Sequence, residues 1–315
     1  MSHKILDKTD KNYTLAKPFL KWVGGKTQLL PQFESLYPVQ LKEQKIDKYF
    51  ELFLGGGAVF CHVVQHYDVK KVFLNDINPD LILAYRVVQN NSKELINYLE
   101  RLQQQYILSN LEARAKLFYQ IRKDYNQQRL NFDYNSISTQ SIIRVSWLIF
   151  INKVCFNGLY RTNKKGDFNV PMGRYKNPLI CDANNLIKLS NLLQNVTLVS
   201  SNYQTFDRLI DRNSFVYIDP PYRPINKTSN FTAYAKSGFN DVHQIELSQY
   251  YQHLSQNYGA KVMLSNSNPH NTDTQDNFFH DLYQDYNINL VSANRMINSN
   301  ANKRGKITEL VITNY

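Results

Sequence analysis

Residues 215–222, Phe-Val-Tyr-Ile-Asp-Pro-Pro-Tyr, read as a short buried strand that stops abruptly in a charged, rigid corner. The apolar run has strand length and β-branched and aromatic character. Pro220 and Pro221 then fix φ and remove two N–H donors. What remains at the strand end, the Asp219 carboxylate and the neighbouring carbonyls, can only accept hydrogen bonds, and the Tyr222 ring stands beside them. That set suits an exocyclic amino group on a flat ring, which offers two N–H donors. A plain strand-to-turn junction would explain the prolines, but not the acid and the aromatic together.

Similar runs occur on both sides. Tyr49 to Phe53, Lys71 to Asn75, Val196 to Ser200, Lys261 to Ser265, Ile288 to Ser292 and Glu309 to Thr313 are strand candidates. Between the second and third, Pro79 to Arg129 has helical spacing (Leu95, Leu99, Leu102, Tyr106), and Ser141 to Val154 predicts another apolar helix. Strands interleaved with helices imply an α/β fold with a mostly parallel sheet. The last two strands, joined by a short basic loop, are expected to pair antiparallel. The expected organisation is an α/β domain in two parts, 1–88 and 196–315, interrupted by an inserted, mainly helical domain with a β-hairpin at 89–195.

The chain has 315 residues, enough to bury a sizeable core, and its 22 Tyr and 17 Phe argue against intrinsic disorder. Its longest apolar stretch, around Val145 to Ile151, is far too short to span a membrane. The start of the sequence has no apolar leader segment, so a cytoplasmic location is expected. Cys61, Cys155 and Cys181 are widely spaced and predict neither disulfides nor a cysteine-based metal site. His62 and His66 have ligand spacing but no evident third partner, so no metal is expected. A net charge of +11 suits an anionic partner, although Asn- and Lys-rich composition can produce it without one.

Two glycine clusters compete for a ligand. Gly24-Gly25-Lys26-Thr27 ends like a P-loop, but a P-loop needs glycine where Leu20 stands. At Phe53-Leu54-Gly55-Gly56-Gly57-Ala58 a strand runs into a glycine turn and then a helix-like run, which permits close backbone approach to a ligand. The next strand ends at Asp76, where an acid can accept both ribose hydroxyls of a nucleoside.

Taken in order, PFLKWVGGKTQLLP (18–31), FLGGGAVF (53–60), LNDINPDLI (74–82), FNGLYR (156–161), FNVPMGRYKNP (168–178), DPPY, MLSNS (263–267) and KRGKITELVITNY (303–315) resemble the DNA adenine N6-methyltransferases of the Dam and DpnM type. The order resembles the α class, with target recognition between the glycine loop and DPPY. The resemblance implies a Rossmann-like methyltransferase sheet, S-adenosylmethionine as cofactor and double-stranded DNA as substrate. No obligatory protein partner is implied. Trp22 and Lys26 should meet the cofactor's methionine end, with Phe53 and Gly55, Gly56 and Gly57 passing beneath it. Asp76 should hold the ribose and Asp219 should lie between cofactor and target. Asp219, Pro220, Pro221 and Tyr222 form the implied catalytic set. Two departures stand out: Leu52 replaces the usual proline before the glycines, and His243-Gln244 stands where many members have Asp-Gln.

Residues 151–190 hold seven Lys or Arg (Lys153, Arg161, Lys164, Lys165, Arg174, Lys176, Lys188) against two acids, Asp167 and Asp182. This suits phosphates, and Lys164-Lys165-Gly166-Asp167 suits a hairpin turn. Arg161 is the candidate for a bidentate contact to guanine. The resemblance adds Lys21, Asn157, Leu159, Pro171 and Tyr175 as DNA contacts, GATC as the target and base flipping as the means of access. Arg295, Lys303, Arg304 and Lys306 form a further basic loop. RNA-adenine or protein-glutamine methylation is the enzymatic alternative, but such enzymes carry Asn-Pro-Pro-Tyr. A catalytically silent DNA-binding protein would be expected to lose DPPY or Asp76 first.

Overall fold

The computed structural model describes residues 15–223, 239–294 and 306–315. Arg295, Lys303 and Arg304 therefore lie outside the described residues. In chain order the elements are α1 Leu30–Leu36, α2 Val39–Lys42, β1 Lys48–Glu51, α3 Ala58–His66, β2 Lys71–Asn75, α4 Pro79–Leu108, α5 Leu111–Gln128 and α6 Thr139–Val154. There follow α7 Ala183–Leu192, β3 Val196–Val199, β4 Ser214–Ile218, α8 Asp241–Gln256, β5 Lys261–Ser267, α9 Phe278–Leu282, β6 Asn287–Asn294 and β7 Lys306–Thr313. The fold is mixed α/β with seven strands among the described residues, each overlapping one of the predicted runs.

The chain divides into two compact units. One comprises Met1–Gly25, Gly55–His66 and Asp76–Ser201, the other Lys26–Leu54, Tyr67–Asn75 and Asn202–Tyr315.

The second unit holds six strands in the order β2-β1-β4-β5-β7-β6. The first four are parallel, and β7 runs antiparallel to both β5 and β6. The predicted pairing of the last two strands is thus present, with β7 on the inside. Strand β4, Ser-Phe-Val-Tyr-Ile, is buried at all five positions, as expected for a strand covered on both faces. Phe50 of β1 stacks on Phe73 of β2 with ring centroids 4.7 Å apart. Phe50, fully buried, contributes about 1.5–3 kcal/mol relative to exposure. Tyr49 and Glu51, two apart and so on one face of β1, meet through a buried 2.7 Å hydrogen bond. Leu52 explains its departure from proline: its N–H donates to the Tyr217 carbonyl at 3.2 Å, a bond that proline could not make.

The first unit is mainly helical. The single helical stretch predicted over 79–129 is two helices, α4 and α5, separated at Ser109 and Asn110. Asn side chains cap both starts: Asn78 accepts from the Asp80 N–H at 3.0 Å and Asn110 from the Ala113 N–H at 2.9 Å. Such caps contribute about 1 kcal/mol each. Helix α4 packs against α6 and α7. Within this packing Arg144 of α6, fully buried, donates from Nε to Asp80 at 2.7 Å and from Nη1 to the Tyr125 carbonyl at 2.9 Å. Strand β3 receives α4 through Arg86, which donates to the Leu198 carbonyl.

Candidate active site and nucleic-acid interface

In the second unit β4 delivers Asp219 at its carboxyl end, where open parallel sheets carry their ligands. The carboxylate is 19% exposed, and its Oδ2 meets Lys26 Nζ, itself buried, at 2.6 Å. Among the described residues no donor reaches Asp219 Oδ1, which is buried. Burial pushes the Asp219 pKa up to about 6; the Lys26 ammonium opposes that rise and Glu309 adds to it. Lys26 also lies over the Tyr222 ring, 4.8 Å from its centroid.

Two side chains missed in the sequence brace this corner. Glu309 of β7 accepts from the Tyr222 hydroxyl at 2.5 Å, fixing the plane of the ring. Desolvation, reinforced by the charges of Asp219 and Glu309, pushes the Tyr222 pKa well above its ordinary value, so the phenol is neutral. Gln244 of α8, fully buried, donates to the Pro221 carbonyl at 3.0 Å and accepts from Asn266 of β5 at 3.1 Å. Its predecessor His243 closes a capping box with Asn240 at the start of α8. The unusual His-Gln pair therefore has two jobs, one capping a helix and one holding DPPY. The SN of MLSNS was the available signal for Asn266; Glu309 had only its place in the C-terminal motif. Arg223 grips Asp241 with Nε and Nη2 and reaches Asp276 with Nη1. Phe53 lies against Tyr203, with centroids 5.5 Å apart.

In the first unit the glycine turn takes the backbone that its sequence requires. Gly55 has φ +48°, and a Cβ there would stand 3.0 Å from the Trp22 ring. At Gly56 a Cβ would stand 3.2 Å from Trp22 Cβ, and Gly57 has φ +68°. Asp76 is anchored by its neighbours: Oδ2 accepts from the Gly55 N–H and Oδ1 from the Asn78 N–H, both at 2.9 Å. Each oxygen keeps a further lone pair for a hydroxyl. Burial raises the Asp76 pKa, opposed by these two N–H groups.

The same unit carries the residues expected at DNA. Lys21 is tied by its backbone to Asn152 in both directions, at 2.8 and 2.9 Å. Its ammonium lies 4.5 Å from the centroid of the Tyr175 ring. Gly158 makes room for it, because a Cβ there would fall 2.1 Å from Lys21 Cδ. Asn157, exposed, takes φ +56° and Leu159 is half-buried. Pro171 is exposed and its carbonyl accepts from the Phe156 N–H at 2.9 Å. Arg161, exposed, is steadied through Nε by Asn169 at 2.8 Å. The predicted turn at 164–167 is present, closed by a bridge between Thr162 and Phe168 and braced by Arg129, which donates to the Lys165 carbonyl. Lys21 and Tyr175 thus come together, and Arg161 stands at the base of a defined turn.

The second unit thus presents a buried carboxylate acceptor beside an aromatic ring, and the first a glycine turn with an anchored acid. The family model for D12 class N6 adenine-specific DNA methyltransferases matches residues 22–297. The chain belongs to that family and is accordingly an enzyme. It is 49% identical over 300 residues to the Type II methyltransferase M.MjaIII of Methanocaldococcus jannaschii, covering 95% of this chain and 99% of that one. It is also 35% identical to the Type II methyltransferase M1.LlaDCHI of Lactococcus lactis subsp. cremoris, covering 97% and 98%. The DNA adenine methylase of Vibrio cholerae is 32% identical over 296 residues, covering 94% and 95%. No helix among the described residues is long and apolar enough to cross a membrane.

Proposed function

We propose that this chain transfers a methyl group from S-adenosylmethionine to N6 of an adenine flipped out of duplex DNA, within GATC. Asp219 carries the reading: a buried carboxylate oxygen facing no donor among the described residues is an acceptor held ready at the end of β4. The fit to the cofactor rests on the glycine turn, where a Cβ would meet Trp22, and on the doubly anchored Asp76. Trp22, Lys26, Phe53, Gly55, Gly56, Gly57 and Asp76 would hold S-adenosylmethionine. When bound, it supplies a sulfonium methyl open to in-line attack.

The chain's own residues do the rest. The N6 lone pair of adenine is delocalised into the ring, so the nitrogen is a poor nucleophile. Asp219 Oδ1 and the Pro220 carbonyl accept its two N–H bonds and favour a pyramidal nitrogen. Pro221, clamped by Gln244, and Tyr222, clamped by Glu309, keep the acceptors and the stacking ring in place. Catalysis is positioning and electrostatic stabilisation. Asp219, being ionised above about pH 6, is also suited to receive the proton that N6 releases. Flipping costs a few kcal/mol, offset by contacts from residues 89–195, where we place target recognition. Asn157, Leu159, Arg161, Pro171 and Tyr175 make those contacts, joined by Lys21 from outside that stretch. Chemistry belongs to 1–88 and 196–315. The names of the two Type II relatives favour a restriction–modification role, and we place that role in the cytoplasm.

The test is transfer of tritiated methyl from S-adenosylmethionine to three duplexes: GATC, the same site without its adenine, and a scrambled site. Label in the first alone, recovered as N6-methyladenine, is expected. Label in all three would remove GATC, and label in none, with cofactor still bound, would turn the reading to RNA or protein substrates.

A further inference from the structure

Tyr160 sits between Leu159 and Arg161, two of the residues assigned to DNA, yet it is only 8% exposed. Its ring stacks on Trp22, with centroids 4.9 Å apart and planes at 23°. Its other side meets Phe168 edge-on at 5.9 Å, and Phe168 bridges to Thr162 across the basic turn. Its hydroxyl lies beside the side chains of Asn78 and Tyr125.

Both partners lead to the glycine turn. The Trp22 indole covers Gly55, so closely that a Cβ there would stand 3.0 Å from the ring. The Asn78 N–H donates to Asp76, whose other oxygen holds the Gly55 N–H. One buried tyrosine therefore touches the arms of the turn that carries Arg161, the ring lying on the glycines, and the residue beside the ribose-holding acid. A tyrosine that served only the core would not need to stack on Trp22 while meeting Phe168 of the basic turn.

We infer that Tyr160 is the positioning residue through which DNA at the 157–175 segment and cofactor at Trp22, Gly55 and Asp76 change one another's affinity. This rests on the reading of those two sites given above. Phosphate and base contacts that settle the turn would settle Tyr160, and through it the indole and the Asp76 carboxylate. By linkage the cofactor must strengthen DNA binding by the same factor.

The experiment measures the dissociation constant of S-adenosylhomocysteine, which avoids turnover, with and without a saturating GATC duplex. Wild-type chain, Tyr160→Leu and Tyr160→Phe are compared. In the wild type the duplex should tighten cofactor binding by at least about fivefold. In Tyr160→Leu that ratio should fall to within twofold of one, while each ligand alone still binds. Tyr160→Phe, which keeps the stack and loses the hydroxyl, should fall between. A wild-type ratio near one, or an unchanged ratio in Tyr160→Leu, would overturn the inference. If Tyr160→Leu does not fold by circular dichroism, Tyr160→Phe decides: a reduced ratio supports the coupling and a wild-type ratio overturns it. Failure of wild-type chain to bind S-adenosylhomocysteine at all would instead overturn the functional reading.

Discussion

Replacing Lys26 with methionine, which keeps an unbranched side chain one atom shorter and removes its charge, should move the pH dependence of methyl transfer. On the proposed mechanism Asp219 acts as the ionised, stronger acceptor, and its pKa stands at about 6 with the Lys26 ammonium 2.6 Å away. An opposite charge this close lowers a carboxylate pKa by about 1–3. Its loss should therefore raise the Asp219 pKa to about 7–9. At pH 7 the ionised fraction would drop from about 0.9 to between about 0.5 and 0.01, a loss of roughly 2- to 90-fold in rate from ionisation alone. Raising the pH should recover it, because the raised pKa marks a group that is only protonated, not lost. The assay is kcat/KM for a GATC duplex at saturating S-adenosylmethionine across the pH range, with Lys26→Arg as the variant that retains the charge. An acid limb in Lys26→Met that superimposes on the wild type would refute the coupling of Lys26 to Asp219. A loss that high pH does not recover would assign Lys26 to the cofactor alone.

Glu309→Gln should do the opposite. It removes a charge that raises the Asp219 pKa while keeping an acceptor for Tyr222, so the acid limb should move below about pH 6; an unmoved limb would discount Glu309. Arg144→Met breaks a buried ion pair and strands Asp80, and should cost about 3–5 kcal/mol in urea unfolding. A loss under about 1 kcal/mol would mean that Asp80 finds another partner. Arg161→Ala should lose about 1–3 kcal/mol of discrimination at one guanine, read as affinities for duplexes substituted singly along the site. An equal loss on every duplex would make Arg161 a phosphate contact instead.

Strand identity was legible because a buried strand declares itself locally. Phe215 to Ile218 is apolar whatever it pairs with, and the corner after it is set by the prolines. The capping Asn110 that divides 79–129 into two helices was equally present in the sequence, but helical periodicity on both sides masked it. The glycines at 55 and 57 carried their positive φ in their identity. Leu52 could be seen to differ from proline, but the bond its N–H makes to Tyr217 could not, because that depends on which strand lies alongside.

By itself, then, the sequence determined the α/β class, the strands, the acceptor corner and the residues of the glycine turn. These follow from side-chain chemistry within a few positions of each other. Only the tertiary structure decided what holds that chemistry in place. Lys26 meets Asp219 across 193 residues and Glu309 meets Tyr222 across 87. Gln244 reaches back from a helix to Pro221, and Tyr160 lies on Trp22. Such pairs are made when separate elements bring distant carboxylates, ammonium groups and rings into one low-dielectric space. A single sequence shows that the groups exist; the packing of its strands and helices chooses which of them meet.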